Sequence, residues 1–162
     1  MKTAIIFSSN HGTTEKASQL LRGHLKGEVD VINLKNYPNL SLTDYNSVIL
    51  GSSIYAGSVK SVLKQFIKHN QNELATKKLG LFLCCMYEGD KATKQFETAY
   101  PEALRKVSVS NGLFGGEFIL SNLNFFERKI VKMINGVTTD VFKLNAKEVK
   151  KFSDIFNAYI EL

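Results

Sequence analysis

Two stretches of this chain, VILG at residues 48–51 and LGLFLCCM at 79–86, are apolar or small at every consecutive position. A strand with one wetted face alternates apolar with polar; a strand buried on both faces of a parallel sheet does not. A membrane span would need roughly 18 apolar residues, and no run approaches that. The chain is therefore constrained to a sheet covered on both sides. Comparable short runs mark five predicted strands: Lys2 to Ser8, Val29 to Leu34, Ser47 to Ser52, Leu79 to Met86 and Leu113 to Leu120. Between them the period changes to that of amphipathic helices. Ala17, Leu20, Leu21 and Leu25 share one helical face, as do Val59, Val62, Leu63, Phe66 and Ile67. A final helix is predicted from Val149, Phe152, Phe156, Tyr159 and Ile160, capped by Asn145 with Glu148 three residues on. Strands alternating with helices predict an α/β fold: one three-layer, doubly wound domain over residues 1–162, built on a five-stranded parallel sheet.

With 162 residues and no linker, repeat or low-complexity stretch, a single substantial core is expected. The N-terminal run turns polar at Ser8, too soon for a secretory leader, so a cytoplasmic location is expected. Cys84 and Cys85 are adjacent, which disfavours pairing and lacks metal-site spacing; they are read as reduced thiols. The net charge of +6 comes from scattered lysines without an arginine–aromatic cluster. A solvated basic surface is the leading reading and a nucleic-acid partner is not expected.

Ligands of doubly wound sheets bind beyond the carboxyl ends of the strands, where the strand order reverses. Three loops at those ends are distinctive. The first, SSNHGTT, joins the first strand to a helix. Amides at a helix N-terminus together with serine and threonine hydroxyls can hold a phosphate without a cation, and Gly12 permits close approach of the backbone. The triphosphate motif GxxxxGK(S/T) is absent, and of GxGxxG only Gly12 is present. The second loop, GSSIYAGS at 51–58, brackets small hydroxyls and Tyr55 with glycines, a composition that can lie against a flat ring. The third, CCMYEGD at 84–90, offers Tyr87 to a ring, while no histidine or cation adjoins the cysteines to activate a thiol. Each loop also has a plain reading as an ordinary cap or turn.

On these residues, IIFSSNHGTTEKAS resembles the flavodoxin phosphate-loop signature. Ile5, Ile6, Phe7, Ser9, Gly12 and Thr14 fill its places, and Ser18 stands where the signature has alanine. The resemblance implies that Ser9, Asn10, His11, Gly12, Thr13 and Thr14 bind the phosphate of flavin mononucleotide (FMN). It implies also that Ser52, Ser53, Ile54, Tyr55, Ala56 and Gly57, with Cys85, Met86, Tyr87, Glu88 and Gly89, flank the isoalloxazine ring. Backbone groups near Ala56, Gly57 and Gly89 would then meet the flavin edge. His11 is open between a phosphate donor and a ring facing solvent.

Over essentially its whole length the chain is similar to the flavodoxin-like, menaquinone-dependent protoporphyrinogen oxidases. The opening MKTAIIFSS, the loop GSSIYAG and the segment KIVKMINGVTTDV at 129–141 carry that likeness. It departs from the family pattern at Tyr55, where arginine is usual, and over 117–126, which has no arginine. The resemblance implies an FMN-dependent oxidoreductase of haem biosynthesis acting between a small-molecule redox substrate and a quinone, with no catalytic side chain of its own. The alternative is a flavodoxin-type carrier that passes electrons to a redox partner protein, although such carriers usually present an acidic face and this chain is basic. Residues 123–135 read as a basic amphipathic helix, suited either to an anionic membrane and its quinone pool or to packing on the sheet. A phospho-receiver domain is excluded, because Ser8, Ser9, Asn10, Ser52 and Ser53 stand where it needs acids.

Overall fold

The computed structural model describes residues 1–9, 12–37, 39–54, 58–118, 129, 133, 141–142 and 144–160. The main sheet comprises β1 (Lys2–Ser8), β2 (Glu28–Asn33), β3 (Ser47–Ser53), β4 (Lys78–Cys84) and β5 (Ser110–Leu113). All its pairings are parallel and its order is β2-β1-β3-β4-β5. Helices α1 (Thr13–Arg22), α2 (Ser61–Thr76), α3 (Gly89–Ala99), α4 (Glu102–Val107) and α5 (Ala146–Ile160) cover it.

Because side chains alternate across a strand, the consecutive apolar residues of β1, β3 and β4 feed two separate cores. Ile6, Leu50, Leu81 and Leu83 pack with Leu63, Phe66 and Ile67 of α2, Phe96 of α3 and Leu104 of α4. Ile5, Ile49 and Phe82 pack with Ala17 and Leu21 of α1 and with Val149, Phe152 and Phe156 of α5. Burying each such large side chain contributes roughly 1.5–3 kcal/mol. Tyr100 lies wholly inside the first core, its hydroxyl within hydrogen-bonding distance of the carbonyls of Leu50 (3.1 Å) and Phe82 (2.5 Å).

The second core is organised by rings seated over glycines. A Cβ on Gly51 would lie 2.1 Å from Cζ of Phe82; one on Gly80 would meet Phe152 at 2.7 Å, and one on Gly112 would meet Phe114 at 2.5 Å. Phe82 and Phe114 stack with centroids 4.6 Å apart, and Phe152 meets Phe114 edge-on at 5.4 Å. These arrangements suit the ring quadrupoles.

The first four predicted strands agree with the observed ones to within two residues. The fifth requires correction. The run Leu113 to Leu120 is not one strand: β5 ends at Leu113, Gly115 takes φ 73°, and β6 (Glu117–Phe118) pairs antiparallel with β7 (Val141–Phe142) in a separate two-stranded ladder. Tyr159 is 46% exposed, not on the buried face of α5; Ser153 and Asn157 occupy that face instead. Asn145 does cap α5, its Oδ1 accepting from the amides of Lys147 (3.1 Å) and Glu148 (3.2 Å). Its own amide donates to the carbonyl of Phe114 (2.8 Å). The reading of 123–135 lies outside the described residues apart from Lys129 and Met133, both exposed.

At the amino edge of the sheet, Lys2 reaches Glu28 (3.0 Å) and Asp30 (3.2 Å), and the Tyr45 hydroxyl donates to Asp30 (2.9 Å). The Tyr45 bond chiefly, with Lys2 beside it, holds the Asp30 carboxyl below its ordinary value. A group depressed on folding adds stability above its unfolded pKa of about 3.9, and that stability is lost as pH falls through the folded value. Thermal midpoints followed from about pH 7 to about pH 2 should therefore fall more steeply at the acid end in the natural chain than in Asp30→Asn. Parallel curves would show that the carboxylate contributes nothing.

Candidate functional site

The order β2-β1-β3 places the reversal of direction between β1 and β3: the chain leaves β1 for β2 on one side, while β3 lies on the other. Connections diverge at such a point and leave a crevice at the carboxyl ends. Ser8 faces Ser52 across the β1–β3 ladder, and Ser53 faces Cys84 across the β3–β4 ladder. The three loops singled out from the sequence thus begin side by side on adjacent strands.

The first loop turns directly into α1. Gly12 caps that helix with φ 88°, a left-handed conformation that favours glycine, and its carbonyl accepts from the Lys16 amide at 2.8 Å. The Ser9 hydroxyl accepts from the Gly12 amide at 3.2 Å, closing the turn. Among the described residues a Cβ on Gly12 would meet nothing within 4 Å, so they leave space open beside it. Thr13 and Thr14 are buried in the first turn of the helix. The Thr14 hydroxyl has no hydrogen-bond partner among the described residues, although it is wholly buried. An orphaned buried hydroxyl is costly and calls for an explanation. Here it sits at the positive end of a ten-residue helix, beside open space and small residues. The turn can receive an anion through neutral donors.

In the second loop Ser52 is buried, while Ser53 and Ile54 are half-buried. The Ile54 amide donates to the Cys84 carbonyl at 3.4 Å, tying this loop to the third. In the third, neither Cys84 nor Cys85 forms a disulfide and both are buried. Burial pushes the Cys85 thiol up from its ordinary pKa, and its Sγ donates to the Tyr87 carbonyl at 3.7 Å. A thiol so placed stays protonated and is a poor nucleophile. Met86 is half-buried and Glu88 exposed; Tyr87 is 38% exposed, with the Lys91 ammonium 5.5 Å from its ring centroid. Gly89 opens α3 with φ 58°, and among the described residues a Cβ there would meet nothing within 4 Å. Gly116, after β5, closes on this loop from outside: its Cβ would meet Met86 Sδ at 2.9 Å.

Asn10, His11, Tyr55, Ala56 and Gly57 lie outside the described residues. One residue at the site was not foreseen from the sequence. Asn33, the last residue of β2, donates from Nδ2 to the Ser9 carbonyl at 3.3 Å. An asparagine in NLKN carries no local signal of this role, because its partner is 24 residues away. Among the described residues no His, Cys, Asp and Glu cluster could hold a metal ion.

The Flavodoxin domain family model matches residues 4–144. Protoporphyrinogen IX dehydrogenase (quinone) of Leishmania major is 26% identical over 146 residues, which cover 85% of this chain. The match takes in 63% of the Leishmania protein, so the chain spans less than two thirds of that relative. Among solved structures, oxidised Flavodoxin 1 from Bacillus cereus superposes with a TM-score of 0.60 at 19% identity, covering 98% of this chain and 99% of that one. The Fusobacterium nucleatum flavodoxin bound to flavin mononucleotide superposes with a TM-score of 0.55 at 13% identity, covering 99% and 97%.

Proposed function

The chain belongs to the flavodoxin domain family, and from that premise we propose that it is an FMN-dependent oxidoreductase. It would take electrons from a reduced organic substrate of the porphyrinogen kind and deliver them to a quinone-type acceptor. The observation that carries the cofactor is the buried Thr14 hydroxyl without a partner among the described residues, next to the open space at Gly12. A phosphate monoester fits there: it accepts from the hydroxyl and from amides at the start of α1, while Glu15, the acid of the helix's first turn, is exposed to solvent.

In this reading Ser9, Gly12, Thr13 and Thr14 hold the phosphate, with Asn10 and His11 between them in sequence. Ser52 to Gly57 and Cys85 to Gly89 border the ring. Bound FMN supplies the electron transfer itself, and the protein supplies binding, orientation and access. Tyr87, the exposed aromatic of the third loop, would meet the ring edge. Cys85 stays protonated and apart from the chemistry. The likeness to the Leishmania enzyme supports the porphyrinogen and quinone assignments.

The acceptor side would lie at an anionic membrane surface, approached through 123–135, where Met133 is 83% exposed. No helix among the described residues is long and apolar enough to cross a membrane. A second reading, an electron carrier between proteins, is favoured by the near-complete mutual coverage with the Bacillus cereus flavodoxin. The net charge of +6 speaks against it where partners are basic.

An anaerobic dithionite titration of the FMN-loaded protein, followed in the visible spectrum, separates the two. The oxidoreductase should bleach directly to the fully reduced spectrum and then oxidise a porphyrinogen with menaquinone as acceptor. A long-wavelength band that grows and then fades would mark a one-electron stage and favour the carrier. Failure to bind flavin at all would end both readings.

A further inference from the structure

We propose that Asn33 is a positioning residue for the phosphate turn: its side chain carries the β1–β2 ladder one step past the end of the backbone pairing and so holds Ser9 and, through it, Gly12. The inference rests on the FMN reading of that turn.

The backbone ladder between β1 and β2 ends with Phe7 paired to Asn33, the Leu34 amide donating to the Phe7 carbonyl at 2.8 Å. In a parallel ladder the next carbonyl of β1 on that side, two residues on at Ser9, would receive the amide two residues on in β2, that of Asn36. That amide is occupied elsewhere: it donates to the carbonyl of Asn33 itself, at 2.9 Å, as the chain turns away. The Asn33 carboxamide takes its place. Nδ2 donates to the Ser9 carbonyl at 3.3 Å, while Oδ1 accepts from the Lys35 amide at 3.1 Å. The two partners settle the orientation of the amide, since a carbonyl accepts only from nitrogen and an N–H gives only to oxygen.

The consequence falls on Ser9. Its carbonyl is held from the β2 side, and its hydroxyl receives the Gly12 amide at 3.2 Å. Asn33, Ser9 and Gly12 thus form a relay from the end of the sheet to the N-cap of α1, where the anion would sit. Asn33 touches no ligand in this scheme and acts only through the turn. Its removal should cost phosphate recognition while leaving the ring site alone.

The test compares FMN with riboflavin, which has the same ring system and no phosphate, by quenching of flavin fluorescence. For Asn33→Leu the Kd for FMN should rise roughly tenfold, the worth of one well-made hydrogen bond, and that for riboflavin should stay within about twofold. Equal weakening of both flavins, or no change in either, would overturn the inference. Leucine also strips the Lys35 amide of its acceptor and can unsettle the fold. Asn33→Asp keeps that acceptor and loses only the donor; measured in about 1 M salt, where charge is screened within about 3 Å, it should show the same split. Normal FMN binding by the aspartate variant would also overturn the inference. If the natural chain binds neither flavin, the FMN reading falls and this inference with it. If it binds both and the variants weaken both alike, only the inference falls.

Discussion

Gly51→Ala should lower the stability of this chain by about 2–3 kcal/mol, although alanine is ordinarily the better strand residue by about 0.5–1 kcal/mol. The new methyl would sit 2.1 Å from Cζ of Phe82, with two further ring atoms within 2.8 Å. The ring cannot simply step aside, because Phe114 is stacked on it at 4.6 Å and Phe152 backs Phe114 in turn. The decisive measurement is a double-mutant cycle by denaturant unfolding. Phe82→Leu alone should destabilise the natural chain by about 1–2 kcal/mol, since it removes ring contacts from a filled core. In the Gly51→Ala background the same change should be neutral or stabilising, because it removes the ring that clashes. Simple additivity would show that the sheet relaxes around the new methyl and that the fit of ring to glycine is incidental.

Thr14→Val should separate stability from binding in opposite directions. Valine has nearly the shape of threonine and a similar helix propensity, so the packing around a wholly buried position is kept. What disappears is a buried hydroxyl with no partner among the described residues, an arrangement that costs about 1–3 kcal/mol. Without flavin, the variant should therefore unfold at equal or higher denaturant concentration than the natural chain. Its Kd for FMN should rise about 10- to 100-fold, and riboflavin should be little affected, because the hydroxyl is assigned to the phosphate. Unchanged FMN affinity would remove Thr14 from the phosphate site and with it the main observation behind the cofactor assignment.

Strands β1, β3 and β4 could be read from the sequence because burial on both faces writes itself as consecutive apolar residues, and the edge strand β2 from a shorter run that Asp30 interrupts. β5 could not. Its residues SNGL are mostly polar or small, since it pairs only with β4 and its glycine leaves a slot for a ring. The apolar signal shifted downstream to Leu113–Leu120, where Gly115 in fact breaks the chain direction. Glycine slots carry packing without carrying hydrophobicity, and a pattern of apolar letters passes over them. Tyr159 was misplaced for the complementary reason. Asn157 earns its buried position through bonds to the Lys26 amide (3.1 Å) and the His24 carbonyl (2.9 Å), partners more than 130 residues away that no local period records. At the site, the hydroxyl-rich turn was visible as composition. Asn33 was not, because only the sheet brings it to Ser9.

The aromatic layer has a consequence for how the chain is made. β1 lies inside the sheet and pairs with β2 and β3, which follow it closely in the chain, so the phosphate turn can be framed once residues 1–53 exist. The glycine slots on the opposite flank wait far longer. Phe152, which sits against Gly80 and Gly112, belongs to α5, which follows all five strands of the main sheet in the chain. Until α5 docks, the stack of Phe82 and Phe114 lacks Phe152 against it and, among the described residues, is covered on that side only by α1. Exposed aromatic surface of this kind is what chaperones bind and what promotes aggregation. Completion of the aromatic layer therefore rests on α5, far in sequence from the turn that would hold the cofactor.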